Sequence, residues 1–362
     1  MKRAVRLLKL FLAGLGLLVL LVFIAGYATR TVYQTKAAHQ NKIRTTYSID
    51  SMEQIYLGGI PQWIYIRSED SRKPVLLFLH GGPGSPEMPF ATKQYQGKLE
   101  KEFVVVHWDQ RGAGKSYSYD LPLKSFTLDD YVADTVELTQ HLLKRFQKRK
   151  LYLVGHSWGS ALGMVTVSRY PDYYHAYVGI GQVSNMVQSE KMSYRFVLEE
   201  ARKRGETDNV KRLERMGEPP YNGFADLGFE RGLVNKYGGG VYNETSPMLV
   251  LARTYFKFPG YTTMDLVYRF PVGAYRTLSA FWPWVQKINL FTKVPRVKIP
   301  VYFCSGRHDQ TVPSRLSYRY FRKIRAPKKA FFWFENSAHS PNFEEPDKFY
   351  RVMTKAVLVN QK

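Results

Sequence analysis

Leu151-Tyr152-Leu153-Val154-Gly155-His156-Ser157-Trp158-Gly159-Ser160 is an apolar run that breaks on Gly-His-Ser-Trp-Gly and continues into the small residues Ala161-Leu162-Gly163-Met164. The pattern is that of a nucleophile elbow, in which a buried strand turns sharply into a helix and holds a serine hydroxyl at the turn. Glycines two positions either side of Ser157 suit a chain that doubles back on itself, where a side chain would strike the neighbouring strand or helix. A pentapeptide of this kind also arises by chance, so its meaning depends on strands, helices and partner residues elsewhere in the chain.

The flanking sequence supplies them. Pro74-Val-Leu-Leu-Phe-Leu79 and Phe103-Val-Val-Val-His-Trp108 are continuous apolar runs, as expected of strands buried on both faces of a parallel sheet. The first ends on His80-Gly81-Gly82-Pro83-Gly84, a loop whose backbone N–H groups can point into a site without side-chain obstruction. The second ends on Asp109-Gln110-Arg111-Gly112, residues expected to tie a turn together. Thr127-Leu-Asp-Asp130 reads as a capping box opening an amphipathic helix to about Lys148. Two short runs, 54–57 and 63–66, are split by Gly58-Gly59 and Pro61 and predict a hairpin at an antiparallel edge.

After a short strand at Tyr177-Val-Gly-Ile180, the pattern over residues 183–297 changes to helical stretches broken by Pro219-Pro220, Gly238-Gly239-Gly240 and Pro259-Gly260. This predicts a helical cap inserted between a core of residues 52–182 and its continuation, 298–362. The cap's aromatic clusters, Tyr255-Phe256, Tyr268-Arg269-Phe270 and 281–284, are candidates for lining a pocket or for the cap's own packing. The sheet resumes at Ile299-Pro-Val-Tyr-Phe-Cys304 and Lys329-Ala-Phe-Phe-Trp-Phe334, and a helix from about Pro346 to Val359 closes the chain. The expected class is α/β, with a mostly parallel central sheet flanked by helices.

A serine hydroxyl needs a base within hydrogen-bond reach and a third group to hold that base in the right tautomer. Asp309 and His339 each follow one of the last two strands, and the order Ser157, Asp309, His339 is the one such a fold uses. His308, beside Asp309, is the nearest rival as base. The lone cysteine, Cys304, excludes an intramolecular disulfide and any cysteine-built metal cluster, and no metal or other cofactor is expected.

The net charge of +23 across 362 residues raises the question of nucleic acid, but the basic residues are scattered among acids and aromatics, with no zinc-finger spacing or RNA-binding signature. No nucleic-acid partner is expected. Lys2, Arg3, Arg6 and Lys9 precede an uncharged run from Leu10 to Ala28, about 28 Å long as a helix, enough to cross a bilayer. The segment 1–30 is therefore read as a membrane anchor with the rest of the chain outside the cytoplasm, and a cleaved signal peptide ending near Gly26-Tyr27-Ala28 is the alternative. Residues 31–51 then read as a loose polar stalk.

Taken together, 80–84, 109–112 and 155–159 resemble the prolyl iminopeptidase branch of the α/β-hydrolase fold, peptidase family S33, over most of the chain from about Glu53. The resemblance implies Ser157 as nucleophile, His339 as general base and acid, Asp309 as its orienter, and the N–H groups of Gly82 and Trp158 as an oxyanion hole. It implies an aminopeptidase on short peptides; a carboxylesterase, or a catalytically silent membrane-tethered binding protein, are the other readings. Members of the family hold the substrate's amino end with cap acids in a Trp-x-x-Trp-Glu motif, whereas Trp282 and Trp284 have no acid immediately after them.

Overall fold

The computed structural model describes residues 2–221, 223–243 and 247–358. A 40-residue helix, α1 (Lys2–Asn41), leads into the hairpin β1 (Ile49–Leu57) and β2 (Ile60–Ser68). Leu57 pairs with Ile60 across Gly58-Gly59, both at positive φ, the two-residue turn that a twisted hairpin favours. Next come β3 (Val75–Leu79), β4 (Val104–Asp109), α2 (Leu128–Arg145), β5 (Leu151–His156), α3 (Trp158–Arg169) and β6 (Tyr174–Ile180). The chain then runs through α4 (Met186–Lys203), α5 (Thr207–Met216), α6 (Phe224–Lys236), α7 (Pro247–Lys257), α8 (Phe270–Val285) and α9 (Leu290–Lys293). It returns for β7 (Val301–Gly306), α10 (Ser314–Lys323), β8 (Lys329–Phe334), α11 (Pro341–Glu344) and α12 (Pro346–Val352), which continues as a wider turn, Met353–Leu358. Val359, where the closing helix was expected to end, lies outside the described residues.

The eight strands form one sheet in the order β1-β2-β4-β3-β5-β6-β7-β8; β1, β2 and β4 run antiparallel to their neighbours in turn, and β4 to β8 are parallel. The apolar runs are continuous because both faces are covered. Leu77, Leu79, Val106 and Leu153 pack toward α2 and α3, whereas Leu76, Phe78, Val105 and Val154 pack against Phe349, Val352 and Met353. The capping box is formed as read: the Thr127 hydroxyl accepts from the Asp130 N–H, and the Asp130 carboxylate accepts from the Thr127 N–H.

Glycine at 155 and 159 is required by close approach. A Cβ on Gly159 would overlap the Leu79 carbonyl at the end of β3, and one on Gly155 would overlap the Gly159 carbonyl. These contacts bring the first turn of α3 against the ends of β3 and β5, and Ser157 between them adopts φ 52°, ψ −119°.

One expectation changes and one open alternative is decided. Residues 31–41, expected as a loose stalk, continue α1 without a break. Thr31–Asn41 contains neither glycine nor proline, and its side chains find partners on the globular part: Gln34 donates to the Phe258 carbonyl at 2.8 Å, and Asn41 accepts from the Lys93 N–H at 2.8 Å. The cap's aromatics are chiefly packing: Tyr255 and Phe281 are buried, the latter edge-on to Trp158 and Tyr131, whereas Trp284 is exposed.

Gly159→Ala should lower stability by about 3 kcal/mol or more, read from the urea midpoint, because the added methyl meets backbone that cannot yield. Gly228→Ala, on an open face of α6, should instead stabilise by roughly 0.5–1 kcal/mol.

Candidate active site

The sheet brings the expected site residues to one edge. Ser157 follows β5, Asp309 follows β7 and His339 follows β8, all at the C-terminal ends of parallel strands. The Ser157 N–H is fixed by the Ile180 carbonyl at 3.0 Å. Asp309 is fully buried; one carboxylate oxygen accepts from the Val312 N–H at 2.9 Å and the other lies 3.0 Å from His339 Nδ1. That bond fixes which ring nitrogen of His339 carries its proton and leaves Nε2 free. The ring lies over Gly181, immediately after the residue that holds Ser157.

The Ser157 hydroxyl itself bonds no other described residue. The Asp–His half of the expected relay is thus made and the Ser–His half is open. His308 is turned away: its ring stacks on Tyr242 at 3.6 Å, and Nε2 bonds the Glu335 carbonyl at 3.1 Å.

The glycine loop lies directly on the serine, for a Cβ on Gly81 would stand 3.2 Å from Ser157 Cβ. The N–H groups of Gly82 and Trp158 have no partner among the described residues, the latter because it begins a helix. Three residues hold this arrangement: Gln110, named above only within a turn motif, and Glu344 and Glu87, which the sequence did not single out. Gln110 accepts from Trp158 Nε1 at 3.1 Å and donates to the His80 carbonyl at 3.1 Å, bracing elbow and loop together. Glu344 accepts from the N–H groups of Ala338 and Ser340 either side of His339, at 3.1 and 3.0 Å. Glu87 accepts from the Gly81 N–H at 3.1 Å and lies 2.6 Å from His156 Nδ1.

His156 completes the bracing. Its Nε2 lies 3.0 Å from the His339 carbonyl oxygen, so both ring nitrogens face acceptors and both must donate. Burial disfavours the charged ring, but Glu87's charge and hydrogen bond prevail and raise the His156 pKa. By contrast, burial pushes His80 down to about 4, and it stays neutral, accepting from the Gln110 N–H on Nε2.

Asp109 and Arg111 tie the neighbouring turn, as expected. Arg111 makes two 2.6 Å bonds to the buried Asp134 of α2. Asp109 accepts from Tyr261 Oη at 2.7 Å and the Lys115 N–H at 2.9 Å, and burial raises its pKa to about 7. The cap holds a buried acid pair, Glu190 and Glu230, and both bond Arg231.

A family model described as alpha/beta hydrolase fold matches residues 74–346. A Bacillus subtilis (strain 168) protein named probable aminopeptidase YbaC is 36% identical over 310 residues, 85% of this chain and 96% of the relative. The proline iminopeptidase of Heyndrickxia coagulans is 25% identical over 291 residues, 77% of this chain and 88% of the relative. Among solved structures, a proline iminopeptidase from Mycobacterium smegmatis superposes with a TM-score of 0.63 at 17% identity, covering 86% of this chain and 99% of the other.

Two pH effects follow. The His156–Glu87 pair contributes stability that is fully present between about pH 4.5 and 6.5, is lost at the acid end as pH falls through the lowered Glu87 pKa, and is lost as pH rises through the raised His156 pKa. Glu87→Gln should move that loss to lower pH in thermal melts and reduce kcat/KM about tenfold, equivalent to roughly 1.4 kcal/mol. Asp109 binds its proton more tightly folded than unfolded, so between about pH 4 and its folded value near 7 stability falls as pH rises, by up to ~4 kcal/mol. Asp109→Asn should remove this part of the decline in melting temperature between pH 5 and pH 8.

Proposed function

The chain belongs to the α/β-hydrolase family, of the proline-iminopeptidase type, and from that premise we propose that it is a metal-free serine hydrolase, an aminopeptidase acting on short peptides. The observation that carries the mechanism is the 3.0 Å bond between His339 Nδ1 and Asp309, made on the same sheet edge as the strained Ser157. Ser157 Oγ attacks the scissile carbonyl while His339 Nε2 takes its proton. Asp309 holds the ring's tautomer and stabilises the imidazolium. The oxyanion is met by the N–H groups of Gly82 and Trp158. His339 then returns the proton to the leaving amine, and a water activated by the same nitrogen releases the acyl group from Ser157.

Peptide substrates are favoured over simple esters by the names of two relatives that this chain matches over most of their length, a probable aminopeptidase and a proline iminopeptidase. For the N-terminus we propose an uncleaved anchor that keeps the catalytic domain outside the cytoplasm. It is supported by one unbroken helix running from the apolar stretch into residues docked on the globular part.

A fluorophosphonate probe should label the protein, and Ser157→Ala should abolish labelling and lower kcat/KM about a thousandfold or more. A folded protein that takes no label would instead favour a silent binding module. Turnover of proline naphthylamide should exceed that of p-nitrophenyl acetate in kcat/KM; hydrolysis of the ester alone would replace the aminopeptidase with a carboxylesterase.

A further inference from the structure

The anchor helix does not end where its apolar stretch ends. Arg30, two residues and ~3 Å of helix beyond Ala28, is buried in the cap, donating to the Tyr261 carbonyl at 2.5 Å and to Thr263 Oγ1 at 3.2 Å. Gln34, one turn on, donates to the carbonyls of Phe258 and Tyr261 at 2.8 and 3.1 Å. Tyr33 meets Phe256 edge-on at 6.2 Å. If α1 crosses a bilayer, residues 256–263 are held within the headgroup layer, which is only ~5–7 Å deep on each side.

The cap surface beside this contact has the chemistry of a lipid-facing one. Met264 and Val267 are 56% and 66% exposed, and Pro271 is exposed as well. Asp265, in the same turn, points inward to Lys115 and Arg269. It is the sole acid between residues 247 and 285, a stretch that carries Arg253, Lys257, Arg269 and Arg276. A helix facing water would turn its acid out and its apolar residues in. Here the apolar side chains are out and the available charges are basic, matching a headgroup layer rich in phosphate.

The far end of the docked helix fixes the direction. Asn41, 11 residues and ~16 Å beyond Arg30, accepts on its carbonyl from Arg67 at 2.6 Å. Arg67 pairs with Val105 near the start of β4, so it marks the edge of the sheet opposite Ser157. The axis of α1 therefore runs from the cap down the side of the sheet, and the bilayer lies at the cap end.

We infer that the cap rests on the lipid surface through Met264, Val267 and Pro271 beside Val32 and Tyr33 of α1, with the sheet edge that carries Ser157 turned toward the membrane. This rests on the reading of α1 as a span. Continuity with α1 selects lipid over a second copy of the chain as the occupant of this face.

Site-selective fluorescence on the full chain in phosphatidylethanolamine–phosphatidylglycerol vesicles tests it. Cys304 is fully buried and burial pushes its thiol pKa up, so an introduced cysteine is the reactive one. Environment-sensitive dyes on Met264→Cys and Val267→Cys should emit to the blue and lose fluorescence to spin-labelled lipid nearly as much as a dye on Leu20→Cys. A dye on Arg149→Cys, exposed just before β5 at the opposite edge, should keep its aqueous emission. Quenching at position 20 with aqueous emission at 264 and 267 would overturn the lipid-resting cap and leave the anchor standing. A blue shift at 264 and 267 that lipid quenchers do not touch would assign the face to another protein copy and overturn it equally. No quenching at position 20 would remove the anchor, and the orientation with it.

Discussion

The arrangement of the site depends on one imidazole with an acceptor at each nitrogen. His156 stands at the end of β5, between Glu87 and the carbonyl oxygen of His339. Glu87 in turn takes the Gly81 N–H of the glycine loop. A single side chain thereby joins the strand that presents Ser157, the loop that lies on it and the loop that carries His339. Because neither acceptor can donate, the ring holds both only while charged, and the buried carboxylate of Glu87 is what keeps a charged ring inside the protein. The positions of loops from three separate strand ends are thus coupled to one proton.

How much of this the sequence disclosed follows the range of the interactions. The strands are legible because burial on both faces leaves continuous apolar runs, as at 75–79 and 151–154. The elbow is legible because steric closeness to Leu79 and within the turn admits only glycine at 159 and 155. The order Ser157, Asp309, His339 is legible because each residue follows a strand and the sheet is parallel there. The bracing contacts were not. Glu87, Gln110 and Glu344 sit in loops or short turns and act on backbone groups that are distant in sequence or lack side-chain character. No periodicity marks such a residue; the proline before Glu87 and the glycines after Arg111 mark a turn and say nothing of what the turn holds. His156 was read as structural, and its contacts are of that kind, yet they place it one residue from Ser157 and on the carbonyl of His339.

The misreading of 31–41 has a different origin. Composition alone makes TVYQTKAAHQN polar and weakly amphipathic, which suits a loose linker as well as a helix. What decides for helix is tertiary: Arg30, Gln34 and Asn41 each find a partner on the folded domain, and a helix spaces all three onto the side that meets it. The docked helix is therefore a product of the fold that it was expected merely to tether.

That docking reaches the site through buried polar contacts. Arg30 holds the carbonyl of Tyr261, whose hydroxyl donates to Asp109 at the end of β4. The loop that begins at Asp109 carries Gln110, which spans from His80 to Trp158. Tyr255, packed edge-on to Tyr261, donates to the carbonyl of Pro86, beside Glu87. Both routes run from α1 through the cap to the residues that position the glycine loop against Ser157. Asp109 is the sensitive link, for burial raises its pKa to about 7 and its ionisation there places a charge beside the Tyr261 hydroxyl. A protein built this way does not carry its folded domain on a flexible tether: α1, the cap and the loops around Ser157 are linked through one set of contacts, so a tilt of α1 has to be met by movement at the cap or by loss of those contacts.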